Sequence, residues 1–189
     1  MTGRMLIAGI GNIFLGDDGF GPEVAKRLAA ASLPGWVRVA DYGISGMHLA
    51  YDLADGYDAA ILIDAAPRGD KPGSVSVLDV AAEHRPDAGP ADEPIGASRL
   101  FDAHGMQPDV VLGVLDMLGE AGPARILVVG CEPASVDSGM ELSEPVATAV
   151  DEAVQVVLDL VAEAGRGRDH EPHGAAGTPG RPAADPLNH

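Results

Sequence analysis

Three short apolar runs, widely separated along the chain, constrain the fold more than any other feature of the sequence. They are Met5–Ile10, Ala59–Asp64 and Arg125–Gly130. Runs of this length and composition are typical of strands that are buried on both faces, as in a parallel sheet covered by helices. The first run also lacks a following small-residue cleavage site, so we interpret it as a strand plus loop and not as a signal peptide.

Helical patterns and a weaker set of strand patterns separate these runs. Phe20, Val24 and Leu28 recur at helical spacing within a helix predicted from about Gly19 to Ala31. The other predicted elements are a strand at Trp36–Asp41, a helix at Ser45–Ala54 with Ser45 as its N-cap, a strand at Ser74–Asp79, a helix from Pro108 to about Leu118 and a helix at Glu144–Glu163. This alternation predicts a single α/β domain with a mostly parallel, twisted sheet of about five strands and helices on both faces.

One connection departs from the parallel pattern. Only Ala65–Gly73 separates the strand at Ala59–Asp64 from the strand at Ser74–Asp79. A parallel crossover needs roughly a dozen residues or more. We therefore expect Ser74–Asp79 to run antiparallel at an edge of the sheet.

The composition changes near Gly165. Nine of the 25 residues from Gly165 to His189 are Gly or Pro, and Leu187 is the only large apolar residue among them. We therefore predict a domain at residues 1–164 and a disordered tail at residues 165–189. The long polar segment from Val80 to Ala103 is predicted to be a functional or mobile loop.

Charge and cysteine content exclude several classes of function. The chain has 12 Lys and Arg against 29 Asp and Glu, a formal net charge of -17, which disfavours binding to nucleic acid or to an anionic membrane surface. The single cysteine, Cys131, excludes a disulfide framework within one chain, and we expect it to be a small buried residue and not a nucleophile. No run approaches 18 apolar residues, so we expect a cytoplasmic protein without a membrane span.

The glycine-rich segment after the first strand carries two adjacent carboxylates. A dinucleotide-binding motif would require glycine at position 14, where the chain has Phe14. Asp17 and Asp18 would also repel a phosphate at the start of the following helix. Either aspartate could cap that helix, or the pair could contribute to a cation site; the segment alone leaves both possibilities open.

Three further residues could contribute to a site at the carboxyl edge of the sheet. Asp64 and Asp41 each end a predicted strand, and each could bind a ligand or cap the next turn. His104 precedes the predicted Pro108 helix and is either an ordinary surface or core histidine or a ligand. Carboxylates combined with one imidazole suit zinc or nickel better than calcium or copper(I).

The segment GIGNIFLGDDGFGPEVAKRL strongly resembles the N-terminal motif of the hydrogenase maturation endopeptidases, which process the large subunit of nickel–iron hydrogenases. The resemblance continues in the segments DYGISGMHLAYDL, AILIDAAPRGDKPGSV, SRLFDAHGMQPDVVLGVLDML and RILVVGCEPASVDSGMELSEPV, and covers nearly all of residues 4–164. It implies a twisted α/β sheet flanked by helices. Some relatives carry glutamate at the position of Asp18, which has the same type of donor atom.

The resemblance also implies a function. It implies an endopeptidase that removes the C-terminal extension of a nickel-loaded large-subunit precursor, its protein partner. Asp18, Asp64 and His104 are implied as catalytic and metal-binding residues, with Asp41 as a possible addition. Nickel is then contributed by the substrate, no organic cofactor is needed, and we expect a monomer. The alternatives are a non-catalytic nickel-sensing chaperone or scaffold in the same pathway and, more distantly, a nucleotide-binding α/β protein.

Truncation tests the predicted tail. Because residues 165–189 contribute almost no core-forming side chains, their removal should change the free energy of unfolding by less than about 0.5 kcal/mol. Thermal and urea unfolding of the shortened and full chains measure this difference. A clear drop in melting temperature would contradict the assignment.

Overall fold

The structure is a computed structural model that describes residues 3–79 and 122–169. Within these ranges the strands are β1 (Met5–Ile10), β2 (Val37–Gly43), β3 (Ala59–Ala65), β4 (Val75–Asp79) and β5 (Arg125–Cys131), and the helices are α1 (Phe20–Ala29), α2 (Gly46–Ala54) and α3 (Glu144–Asp169). A 3-10 turn at Gly16–Gly19 precedes α1. The predicted loop at 80–103 and the predicted helix at 108–118 lie outside the described residues.

The described strands form one sheet in the order β2-β1-β3-β5-β4. Strands β2, β1, β3 and β5 are parallel to one another, whereas β4 pairs antiparallel with β5 at the edge. The predicted fold class and the antiparallel edge strand are thus confirmed. The short connection after β3 forces this reversal, because it has no room for a crossover helix.

Helices cover both faces of the sheet. Successive side chains along a strand point to opposite faces, so alternate residues pack against the helices on each side. On one face, Ile7 and Ile61 pack with residues of α1 and α3, including Phe20 and Val150. On the other face, Leu6 and its neighbours pack with the apolar side of α2. All six residues of β1 are buried, as predicted for a central strand. No helix in residues 3–79 or 122–169 is long and apolar enough to span a membrane.

Several element boundaries differ from the predictions by a few residues, and one predicted cap lacks its side-chain hydrogen bond. The helix predicted from Gly19 is a 3-10 turn followed by α1, which starts at Phe20. Ser45 occupies the predicted N-cap position of α2, although its side chain makes no capping hydrogen bond. Helix α3 continues to Asp169, six residues beyond the predicted end, and therefore includes the first five residues of the predicted tail.

The first turn of α1 lies directly against the ends of two strands, and Gly21 makes this possible. A Cβ atom at position 21 would lie 2.2 Å from Ile10 O and 2.3 Å from Ile63 O, far inside van der Waals contact. Any side chain here would push α1 away from the carboxyl ends of β1 and β3. The 3-10 turn that carries Asp17 and Asp18 would move with it.

Replacing Gly21 by alanine should therefore destabilise the protein. We expect a loss of about 1–3 kcal/mol, as for overpacking of a tight interface, in spite of the better helix propensity of alanine. Urea unfolding of Gly21→Ala and the wild type measures the loss. Gly35→Ala is the matched control, because no atom lies within 4 Å of a Cβ at that position. Equal stability of the two variants would contradict the argument.

Candidate active site

The carboxyl ends of the parallel strands bring most of the predicted site residues to one edge of the sheet. Asp18 lies in the 3-10 turn after β1, Asp41 lies near the end of β2, and Asp64 is the penultimate residue of β3. Strands β2, β1 and β3 are adjacent in this order, so the three aspartates follow one another along the edge. His104 lies outside the described residues.

Asp17 is engaged entirely within the protein. Its side chain is buried, and its Oδ2 accepts hydrogen bonds from Ala134 N (2.7 Å), Ser135 N (3.0 Å) and Ser143 Oγ (2.9 Å). Its Oδ1 accepts a fourth from Ser143 N (2.6 Å). Burial alone would raise the pKa of Asp17, but the hydrogen bonds from Ser143, Ser135 and Ala134 outweigh it and hold the pKa below its usual value. Asp17 therefore binds the segment before α3 and does not cap α1.

Asp18 and Asp64 face a different environment. Asp64 is 5% exposed, and burial together with the nearby charge of Asp18 raises its pKa well above the usual value. Asp18 Oδ2 accepts a hydrogen bond from Asn12 N (2.7 Å), and Asp64 Oδ1 accepts one from Ala65 N (2.8 Å). No residue in the described part of the chain donates to the other oxygen of either carboxylate. Each aspartate thus retains one oxygen for a ligand, and a cation between them would relieve their repulsion.

Asp41 is exposed and stands apart from this pair. Its Oδ1 accepts a hydrogen bond from Gly43 N (2.8 Å), which closes a local turn at the end of β2. It also lines a groove of about 600 Å³ that passes between α1 and the segment before α3, with Ile13, Met140 and Leu142 among the other lining residues.

Glu132 is a residue of this edge that the sequence analysis did not single out. Its carboxylate accepts a hydrogen bond from Arg68 N (2.6 Å). The backbone N–H of Arg68 is the main cause of its lowered pKa, and those of Asp70 and Gly69 add to the effect. Glu132 therefore anchors the loop between β3 and β4. The sequence could have identified Glu132 by its position directly after a buried strand, because Asp64 was selected by its position at the end of a buried strand.

Cys131 has no access to a substrate. Its side chain is fully buried, and burial, assisted by the nearby charges of Asp17, Glu152 and Glu132, raises the pKa of its thiol to about 11. A thiol with this pKa is almost entirely protonated at neutral pH and is a poor nucleophile. The prediction that Cys131 is a small buried residue is confirmed.

The donor set at this edge fits a divalent cation only in part. Two carboxylates with free oxygens suit zinc or nickel, but a stable site requires further donors. Within residues 3–79 and 122–169 no three His, Cys, Asp or Glu side chains are grouped closely enough to hold an ion. His104, the predicted third donor, falls outside these ranges.

Comparisons with known proteins identify the family to which the chain belongs. The hydrogenase maturation protease family matches residues 22–160 of the chain. The chain belongs to this family. It is therefore a maturation protease, a hydrolase of the endopeptidase type, which confirms the resemblance seen in the sequence.

Individual members of the hydrogenase maturation protease family resemble the chain over nearly their whole length. The hydrogenase 2 maturation protease of Escherichia coli is 29% identical over 166 residues, which cover 86% of this chain and 93% of that protein. The solved structure of an E. coli hydrogenase maturating endopeptidase has a TM-score of 0.66 and 30% identity, and covers 86% of this chain and 94% of that one. A hydrogenase 2 maturation peptidase from a Thaumarchaeota archaeon has a TM-score of 0.62 and 33% identity, and covers 84% of this chain and 97% of that one.

The raised pKa of Asp64 predicts a pH dependence of stability for this maturation protease. The folded state holds the proton of Asp64 more tightly than the unfolded state, whose aspartate pKa is about 4. The contribution of Asp64 to stability is therefore largest below about pH 4 and is lost as the pH rises through the raised pKa. Asp64→Asn has no carboxyl group that ionises at this position, so it does not lose stability in this way. The free energy of unfolding of the variant relative to that of the wild type should therefore increase as the pH rises.

Urea unfolding between pH 4 and pH 8, in buffer with a chelator, measures this difference. Each unit by which the pKa is raised corresponds to about 1.4 kcal/mol. Asp18→Asn should reduce the same pH dependence in part, because the charge of Asp18 is the second cause of the raised pKa. A stability difference between Asp64→Asn and the wild type that is independent of pH would contradict the assignment.

Proposed function

We propose that the protein removes the C-terminal extension of a nickel-loaded large-subunit precursor of a nickel–iron hydrogenase. The observation that carries this proposal is the pairing of Asp18 and Asp64, each with one oxygen to which no described residue donates. Two carboxylates held close enough to raise the pKa of one of them form a site that favours a cation. Membership of the maturation protease family supports the reaction class.

In this proposal nickel belongs to the substrate. Nickel already placed in the precursor is recognised by Asp18, Asp64 and His104, which brings the peptide bond to be cut against the enzyme. A precursor without nickel lacks this interaction and binds more weakly, so only loaded subunits are cut. Held by Asp18, Asp64 and His104, nickel would supply Lewis-acid chemistry at the peptide carbonyl or at a water, and one of the carboxylates would act as general base.

The surface around the site supports a protein substrate. Exposed large apolar side chains cluster in the segments that follow β1, β2 and β5 at the same edge as Asp18 and Asp64. They are Ile13, Phe14, Ile44, Met47, Tyr51, Val136 and Met140. Exposed apolar patches of this kind mark interaction surfaces, whereas a small-molecule site encloses its ligand. The groove lined by Asp41 and Ile13 is the place we propose for the peptide near the cut.

Charge removal at the paired aspartates tests this function. Asp18→Asn and Asp64→Asn preserve side-chain volume, and each should abolish cleavage of the nickel-loaded precursor while the fold is retained. Product size on a gel measures cleavage, and circular dichroism checks the fold. Asp159→Asn is the matched control, an exposed aspartate on α3. Normal processing by Asp18→Asn or Asp64→Asn would remove that residue from the site.

The metal requirement gives a second test. Because the chain offers few strong ligands, the protein should purify mostly without bound metal, and nickel-free precursor should resist cleavage. Elemental analysis and cleavage assays with loaded and unloaded precursor measure both. One tightly held metal per chain together with efficient cutting of unloaded precursor would favour a conventional metalloprotease. Stable association without cleavage would favour the chaperone or scaffold function.

A further inference from the structure

We infer that Asp17 is a positioning residue, which holds Asp18 against Asp64 by tying the turn at Gly16–Gly19 to the segment between β5 and α3. This inference rests on the proposed function of Asp18, but its structural part can be tested without any substrate. Asp17 itself has no free position for a ligand, because both its oxygens accept hydrogen bonds from this segment.

The contact between the turn and the segment extends beyond the carboxylate. Asp17 N donates to Ser135 O (3.1 Å), and Gly16 N donates to Gly139 O (2.8 Å). Gly139 N in turn donates to Phe14 O (2.9 Å). The turn is thus bonded to the segment at several points, with the buried carboxylate of Asp17 at their centre.

The position of Asp18 follows from this contact. Asp18 N donates to Leu15 O (3.1 Å), and Asp18 Oδ2 accepts from Asn12 N (2.7 Å). Both bonds lie within the short stretch that Asp17 attaches to the rest of the protein. Neither contact links Asp18 to the segment before α3. That connection is made for it by the Asp17 carboxylate and by the backbone bonds of Gly16 and Phe14.

Only a carboxylate satisfies the four donors around position 17. Asparagine has the same volume but would present an NH2 group to at least one N–H donor, so that donor would lose its partner. Asp17→Asn should therefore weaken the attachment of the turn to the segment, although the backbone hydrogen bonds between them remain. The Ser143 hydroxyl can be varied separately: Ser143→Ala removes one of the four bonds, and Ser143→Thr keeps a hydroxyl donor.

Amide hydrogen exchange, measured by NMR on the metal-free protein, tests the inference. The Asn12 amide reports the position of the Asp18 carboxylate directly, because it donates to Asp18 Oδ2. In Asp17→Asn we expect exchange of the Asn12 and Asp18 amides to accelerate at least tenfold. The amides of Leu62 and Ile63 in the central strand β3 should change much less. Ser143→Ala should give a smaller acceleration at the same two amides, and Ser143→Thr should resemble the wild type.

Two results would overturn the inference. One is wild-type exchange at Asn12 and Asp18 in folded Asp17→Asn; the other is an equal acceleration at all amides, which would mean that Asp17 contributes only global stability. If Asp17→Asn does not fold, Ser143→Ala decides, and unchanged exchange at Asn12 in that variant would also overturn it.

Cleavage assays connect the inference to function. Asp17→Asn should bind nickel-loaded precursor more weakly and cut it at least tenfold more slowly, because a displaced Asp18 no longer meets the nickel, whereas its affinity for nickel-free precursor should equal that of the wild type. An unchanged preference for nickel-loaded over nickel-free precursor together with an unchanged rate of cutting would contradict positioning of Asp18. If the wild type fails to cut the precursor, the proposed function fails, while the exchange result still decides whether Asp17 positions Asp18.

Discussion

The contact between the first turn of α1 and the ends of β1 and β3 determines the geometry of the whole site. Gly21 allows the helix to approach the backbone oxygens of Ile10 and Ile63 to a distance that no side chain permits. Phe20, buried immediately before it, anchors the helix in the core. The 3-10 turn is therefore placed over the strand ends, and Asp18 is brought near Asp64, which belongs to a strand more than forty residues later.

The carboxylates at this edge differ in what surrounds them. Asp17 and Glu132 accept hydrogen bonds from backbone N–H groups, which stabilise their negative charge and lower their pKa. Asp64 has one such bond, is buried and lies near the charge of Asp18, and its pKa is raised. The first two residues use their charge to hold loops in place, whereas burial and the nearby charge of Asp18 disfavour the ionised form of Asp64. This difference separates structural from candidate catalytic aspartates in a chain that is acidic throughout.

Much of the fold could be predicted because it depends on local patterns. The bounds of β1 were predicted to the residue, because the segments on either side of a short apolar run mark where the strand begins and ends. The antiparallel direction of β4 followed from the length of one connection. Ser45 was correctly predicted as the N-cap of α2, but a capping residue type does not by itself ensure a side-chain hydrogen bond. The end of α3 was predicted too early because the glycines at 165 and 167, which usually end a helix, lie within it.

By itself the sequence determined the fold class, the order of most elements and the family, because hydrophobic periodicity and the glycine and aspartate motif are local properties of the chain. It also selected Asp41 and Asp64 as residues at strand ends and Asp18 as a residue of the glycine-rich segment after the first strand. Only the tertiary structure decided which of the adjacent aspartates is structural. The donors that bind Asp17 lie more than a hundred residues away in the sequence, and the neighbour that raises the pKa of Asp64 is Asp18. Hydrogen bonding and charge repulsion act through space, so the separate roles of Asp17 and Asp18 follow from the packing of the 3-10 turn against the sheet and the segment before α3.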